Sequence, residues 1–164
     1  MLVTNHVLSG ALIGATVRRP VPAFAIGVAS HFVLDAVPHW GDWENRQHFI
    51  RVAVRDGLAG LAVIGAVAAV ARPERRLAVL AGMAGAALPD IDKPAILWFG
   101  RSPWPGTVNR FHSRIQHEAR NRLGRELVAM GALAVASLVA VRATATRRQS
   151  RPLRQGMAEA DELG

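Results

Sequence analysis

Apolar residues along this chain fall into five runs, covering residues 7–17, 21–37, 57–71, 77–88 and 127–141, with arginine, aspartate, proline or glycine between them. Runs 57–71 and 127–141 carry no charge on any face. A surface helix of a globular protein needs a polar face, and a chain of 164 residues cannot bury several wholly apolar helices completely. The pattern therefore predicts an all-α fold, a multi-span helical membrane bundle of four to five helices over residues 1–142, followed by a disordered tail over residues 143–164. Several runs are only about 15 residues, roughly 22 Å of helix against a hydrocarbon core near 30 Å. Extending each by a turn, with arginines reaching outward, closes most of that deficit.

The boundaries follow from local chemistry. Thr4 or Asn5 is the expected cap of the first helix. Its positive pair, Arg18-Arg19, follows the apolar stretch, so the segment reads as a retained helix and not as a signal peptide. Gly10 and Gly14 would let a neighbouring helix approach closely. Pro38 removes a donor and pushes Val37 out of the α region, so the second helix should end near Ala36 or Val37. Asp56 is expected to open the third helix. Residues 93–126 read as irregular, broken by Pro94, Pro103, Pro105 and Gly106.

The formal charge of +8 comes almost wholly from arginine. The arginines sit singly or in pairs at the ends of apolar runs, as residues that hold helix ends at a charged membrane surface do. No basic stripe interleaved with aromatics accompanies them, so membrane lipids are the expected partner and nucleic acid is not. Cysteine is absent, which excludes disulfides and thiolate metal sites and leaves histidine and carboxylate as the available ligands.

Those ligands concentrate in a few places. In the stretch from Ser30 to Trp40, His31 and Asp35 are four residues apart, one face of a helix, with Cβ atoms about 5–6 Å apart; this suits two ligands of one metal ion. His39 continues the step, but on a straight helix it would lie roughly 12 Å from His31 along the axis. Either the chain turns back after Pro38 or His39 serves a second ion. The plainer alternative is a pair of helix-end histidines beside a capping carboxylate, against which stands the cost of ionisable groups in apolar helices.

With five antiparallel spans, His6, His31, Asp35, His39, Asp56, Asp90, Asp92, His112, His117 and Glu118 all fall on one side. The other side holds Arg18-Arg19, the turn around Arg72 to Arg76, and the tail. Such segregation points to a shared polar site at one membrane face. Histidine and carboxylate ligands with an open position bind zinc or a similar divalent ion, which brings bound water towards a pKa of about 7. Hydrolysis is the natural use. Asp90 and Asp92 fit either a bridging pair or a helix cap. His112 and His117, five apart, do not share a helix face, so one is a ligand candidate and the other a proton donor. Glu118 is either a general base or a solvated helix charge. No nucleophile triad, P-loop or dinucleotide fingerprint is present.

With these residues the chain resembles a bacterial family of predicted inner-membrane metal-dependent hydrolases, distantly like zinc-dependent phospholipase C. The matching pieces are Asn5-His6 with Gly10 and Gly14, the block from Ser30 to His39, and Ala87-Leu88-Pro89-Asp90-Ile91-Asp92, with a looser match at Phe111-His112-Ser113 and His117. Two features depart from the family pattern: Lys93 stands where a histidine often follows the Asp-x-Asp, and Asn109-Arg110-Phe111-His112-Ser113 replaces a His-Arg-x-x-Thr-His-Ser segment. The resemblance implies a multi-pass inner-membrane protein and a hydrolase. The first hypothesis from the residues is a membrane-embedded metal-dependent hydrolase with His6, His31, Asp35, His39, Asp90, Asp92, His112 and His117 around one or two divalent ions, zinc first, and with Asp35, His117 and Glu118 as candidate catalytic residues. A lipid or lipid-linked phosphoester suits a site at headgroup level. The competing readings are a non-catalytic membrane protein whose cluster holds a structural metal or conducts protons or ions, and a soluble basic bundle that binds nucleic acid.

Overall fold

The computed structural model describes residues 1–42 and 44–146. Their regular structure is helical: α1 (Val3–Val17), α2 (Pro20–Asp35), α3 (Arg46–Val70), α4 (Pro73–Ala87), α5 (Asp92–Phe99), α6 (Gly106–Ile115) and α7 (Leu123–Thr146), with 3₁₀ turns at Leu88–Ile91 and Arg120–Arg122. The segment read as irregular thus contains two short helices. At the far end, residues 143–146 continue α7 and do not belong to a tail; residues 147–164 lie outside the described residues.

The central element is α1, which packs against α2, α3, α4 and α7. Its residues from Thr4 to Ala11 are buried on every side. Small residues allow this. A Cβ on Gly10 would run into the Gly82 carbonyl of α4, one on Gly82 into the Gly10 carbonyl, and one on Gly85 into the Phe24 carbonyl of α2. The α4 backbone is therefore in direct contact with α1 on one face and α2 on another, as small-residue spacing allows. Val7, Ala11, Ala15, Ala71, Val79, Met83 and Val141 complete the core beneath that contact.

Two helices are long and apolar enough to cross a membrane, Arg46–Val70 with 25 residues and Arg120–Arg142 with 23. Only 11% and 17% of their most apolar windows are buried. The apolar helices α1 and α2, of 15 and 16 residues, are shorter.

The helix starts differ from the expected ones. Neither Thr4 nor Asn5 caps α1; its N-cap is Leu2, whose side chain makes no cap bond. Carboxylates from other helices do that work. Asp56 accepts from Val3 N at 2.5 Å and Thr4 N at 3.3 Å, and Glu126 accepts from Leu2 N at 3.1 Å. Asp56 is mid-helix and does not open α3, which begins earlier at Arg46 and is capped by Asn45, whose side chain accepts from His48 N. Helix α2 ends at Asp35, just ahead of the bound set by Pro38.

Gly82→Ala should lower stability by about 1–3 kcal/mol through forced separation of α1 and α4, read as an earlier unfolding transition in detergent. Gly65→Ala, with nothing within 4 Å of the added Cβ, should be neutral or stabilising by up to about 1 kcal/mol.

Candidate metal centre

The end of α2, the turn after α4 and the end of α6 meet beside the first turns of α1. They bring together His31, Asp35, Asp90 and His112, each offering a ligand atom within 4.8 Å of the others, all four residues buried. Asp90 sits on the 3₁₀ turn, which Trp104 holds from the α5–α6 loop by donating Nε1–H to the Pro89 carbonyl at 2.9 Å. His112 reaches inward from α6, its ring edge-on to Phe32 of α2.

Hydrogen-bond partners set the chemistry. His31 Nδ1 lies 2.8 Å from the Ala86 carbonyl, which can only accept, so Nδ1 carries a hydrogen and Nε2 is the atom turned into the site. A carbonyl partner of this kind is also what commonly orients a metal-binding histidine. Nε2 of His31 is 3.1 Å from His112 Nε2 and 3.2 Å from Asp35 Oδ2, and His112 Nε2 is 2.8 Å from the same oxygen. Ligand atoms around a tetrahedral zinc, with bonds of about 2.0–2.1 Å, are roughly 3.3 Å apart. The triangle of two imidazole nitrogens and a carboxylate oxygen is close to one face of that tetrahedron.

Asp90 Oδ1 stands further off, 3.7 Å from His31 Nε2 and 3.8 Å from His112 Nε2, and pairs with Lys93 Nζ at 2.8 Å. Burial disfavours the Asp90 carboxylate, yet Lys93 and then the neighbouring histidines hold its pKa down at about 2. Conversely, burial works against the Lys93 ammonium, but Asp90 and Asp35 raise its pKa above the ordinary value. Asp92 is shifted upwards, by burial first and by the Asp90 charge second.

His6 adjoins the group without being one of the four. Its Nε2 is 3.1 Å from Asp35 Oδ1, its ring stacks on His31 with centroids 4.0 Å apart, and its buried Nδ1 has no hydrogen-bond partner among the described residues. The Met1 amine also donates to Asp35 Oδ1, at 2.6 Å.

The remaining candidates are elsewhere. After Pro38 the chain turns back, but towards the α6–α7 connection: His39 N donates to the His117 carbonyl and Ala119 N to the His39 carbonyl. His39 Nδ1–H is directed to the Val37 carbonyl, and Nε2 lies 3.5 Å from Glu118 Oε1. His39 and Glu118 thus form a separate pair. His117 is exposed, its Nδ1–H donating to the Ile115 carbonyl at 2.9 Å, and so stands apart from the ligand group. Asp92 is also outside the group, with a buried Oδ1 that lacks a hydrogen-bond partner among the described residues.

Two contributors escaped the sequence reading. Gln116, one turn beyond His112, donates Nε2–H to Asp35 Oδ2 at 3.0 Å; its signal was the four-residue step from His112. Glu126 accepts from Leu2 N, from Asn5 Nδ2 at 2.7 Å and from Trp40 N at 3.1 Å. It ties α7 to the start of α1 and to the segment after α2, and its signal was a lone acid beside an apolar run. No known protein-family model, curated protein or solved structure matches the chain.

Glu126→Ala should leave two buried donors, Leu2 N and Trp40 N, without an acceptor, and Asn5 Nδ2 with only the residue 126 carbonyl. At about 1–3 kcal/mol for an unsatisfied buried group, the expected loss is several kcal/mol, measured as a large drop in the unfolding midpoint. Glu44→Ala, removing the exposed pair with Arg120, should change it by less than about 1 kcal/mol.

Proposed function

We propose that the protein is a membrane-embedded, metal-dependent hydrolase acting on a lipid or other phosphoester at one membrane face. The observation that carries this reading is the Nε2 of His31 facing a second imidazole nitrogen and a buried carboxylate at 3.1 and 3.2 Å. Lone pairs converging at such distances repel one another unless a proton or a cation lies between them. Three close donors with a fourth carboxylate held off by Lys93 follow the catalytic pattern of three protein ligands and an open position, in contrast to a closed structural site.

A divalent ion there, zinc by the match of donor types, supplies Lewis acidity and a nucleophilic water at neutral pH. The chain's own residues divide the remaining work. The Ala86 carbonyl fixes the His31 tautomer. The Asp35 carboxylate, turned towards the histidines of three helices, neutralises charge in the buried centre. His112 and Gln116 close the α6 side. The membrane part of the proposal is supported by α3 and α7, whose apolar windows are long and mostly uncovered, and an inner-membrane location by the family resemblance.

Elemental analysis of detergent-purified protein should find about one equivalent of zinc or manganese, absent from the His31→Ala/Asp35→Ala double variant. With metal bound, hydrolysis of a generic chromogenic phosphodiester should be lost in Asp35→Asn. A wild-type chain that takes up no metal from excess ion overturns the proposal; full metal content without hydrolysis leaves the non-catalytic reading.

A further inference from the structure

Lys93 is the only lysine in the sequence, and it stands against the buried group. Its side chain is 32% exposed, whereas those of Asp35, Asp90 and His112 are 0%, 7% and 5% exposed. It is therefore the side chain of this cluster that solvent reaches most. Anything approaching the ligand triangle from that side meets the Lys93 side chain first.

An ammonium in this position works against metal binding alone. It engages Asp90 Oδ1, the most distant of the four ligand atoms, and it places a positive charge where a second positive charge is to bind. A residue whose task was only to complete a metal site would not have this character. Lysine is instead a compact point charge with three rotatable donors. Nζ is paired with Asp90 at 2.8 Å, and rotation within the partly exposed side chain can turn its donors outward.

We propose that Lys93 is the anion-binding group of the site, so that the centre consists of one divalent ion and one fixed ammonium, which together receive a phosphate monoester or diester. This rests on the metal-dependent reading above and deepens it: the ammonium takes the place a second ion would occupy and selects substrates that carry negative charge. Asp90, paired with Lys93 and held off the ion, then sets the separation of the two cations.

The test uses the full chain in an uncharged detergent, with zinc and inorganic phosphate as probes followed by calorimetry, and with short-chain phosphatidylglycerol and phosphatidylcholine as competitors. Wild-type protein should bind one zinc and then phosphate. Lys93→Gln should bind zinc at least as tightly, because a repulsive charge has gone, while phosphate binding falls about tenfold or more, as expected for loss of a charge-assisted contact. Lys93→Arg should retain most of the phosphate affinity. Competition by phosphatidylglycerol below the concentration at which phosphate itself binds would place the anion on a lipid headgroup; phosphate binding without lipid competition would place it on a soluble phosphoester. Phosphate binding unchanged in zinc-loaded Lys93→Gln overturns the proposal, as does loss of zinc from that variant, which would make Lys93 a support for the ligands. A wild-type chain without zinc overturns the hydrolase reading and this one with it.

Discussion

A fully buried carboxylate in an apolar helix end is the constraint that organises this protein. Moving a charge out of water is expensive unless it is paired and hydrogen-bonded, and Asp35 has no exposed surface. Its two oxygens are met by groups from three elements: His6 of α1, His31 of α2, and His112 and Gln116 at the end of α6. Of these only His31 is near Asp35 in sequence. Satisfying one carboxylate thus fixes the relative positions of α1, α2 and α6, and the turn carrying Asp90 follows because Ala86, at the end of α4, is the partner of His31.

A second requirement comes from the direction of α1. Its first turn lies inside the protein, where the free backbone N–H groups of a helix start cannot be left to water. Asp56 and Glu126 meet them from α3 and α7, and negative groups at that end are also favoured by the helix dipole. The same carboxylates therefore anchor the two longest apolar helices to the central one. Because His6 is only one residue beyond Asn5, which Glu126 also holds, this clamp and the candidate metal centre are parts of one polar network.

The helical class and the break after α2 were legible in the sequence because proline and charge punctuate its apolar runs. That His6, His31, Asp35, Asp90 and His112 are candidate ligands was legible from residue type, because cysteine is absent and the histidines and carboxylates gather near the ends of the apolar runs. Which residues touch was not. His39 shares the four-residue step with His31 and Asp35, but the backbone pairing between residues 39 and 117–119 carries it to Glu118, and spacing contains no information about such a long-range bridge. The capping of α1 was misread for the same reason. Thr4 and Asn5 are good caps locally, yet the tertiary carboxylates of Asp56 and Glu126 take that role, and their approach depends on packing between small residues far apart in the chain.

The placement of polarity on α3 and α7 bears on the environment of the whole molecule. In a water-soluble bundle an amphipathic helix turns its apolar stripe inward and its charges outward. Here the arginines Arg51, Arg55 and Arg125 are exposed, but the carboxylates and many apolar residues are placed the other way round. Asp56 and Glu126, buried, face α1, whereas Leu58, Leu61 and Val70 of α3 and Leu127, Val128, Val135 and Val139 of α7 are exposed. Ionisable side chains within membrane helices characteristically face the bundle interior and pair there, and an uncovered apolar exterior of this extent marks a surface that meets lipid or another protein. Neither helix could gain from exchanging these positions: an apolar residue at 56 or 126 would leave the α1 donors unsatisfied, and a charged one on the outer face would relieve nothing inside. The inward carboxylates are therefore what a short central helix with a polar start requires of its two long neighbours.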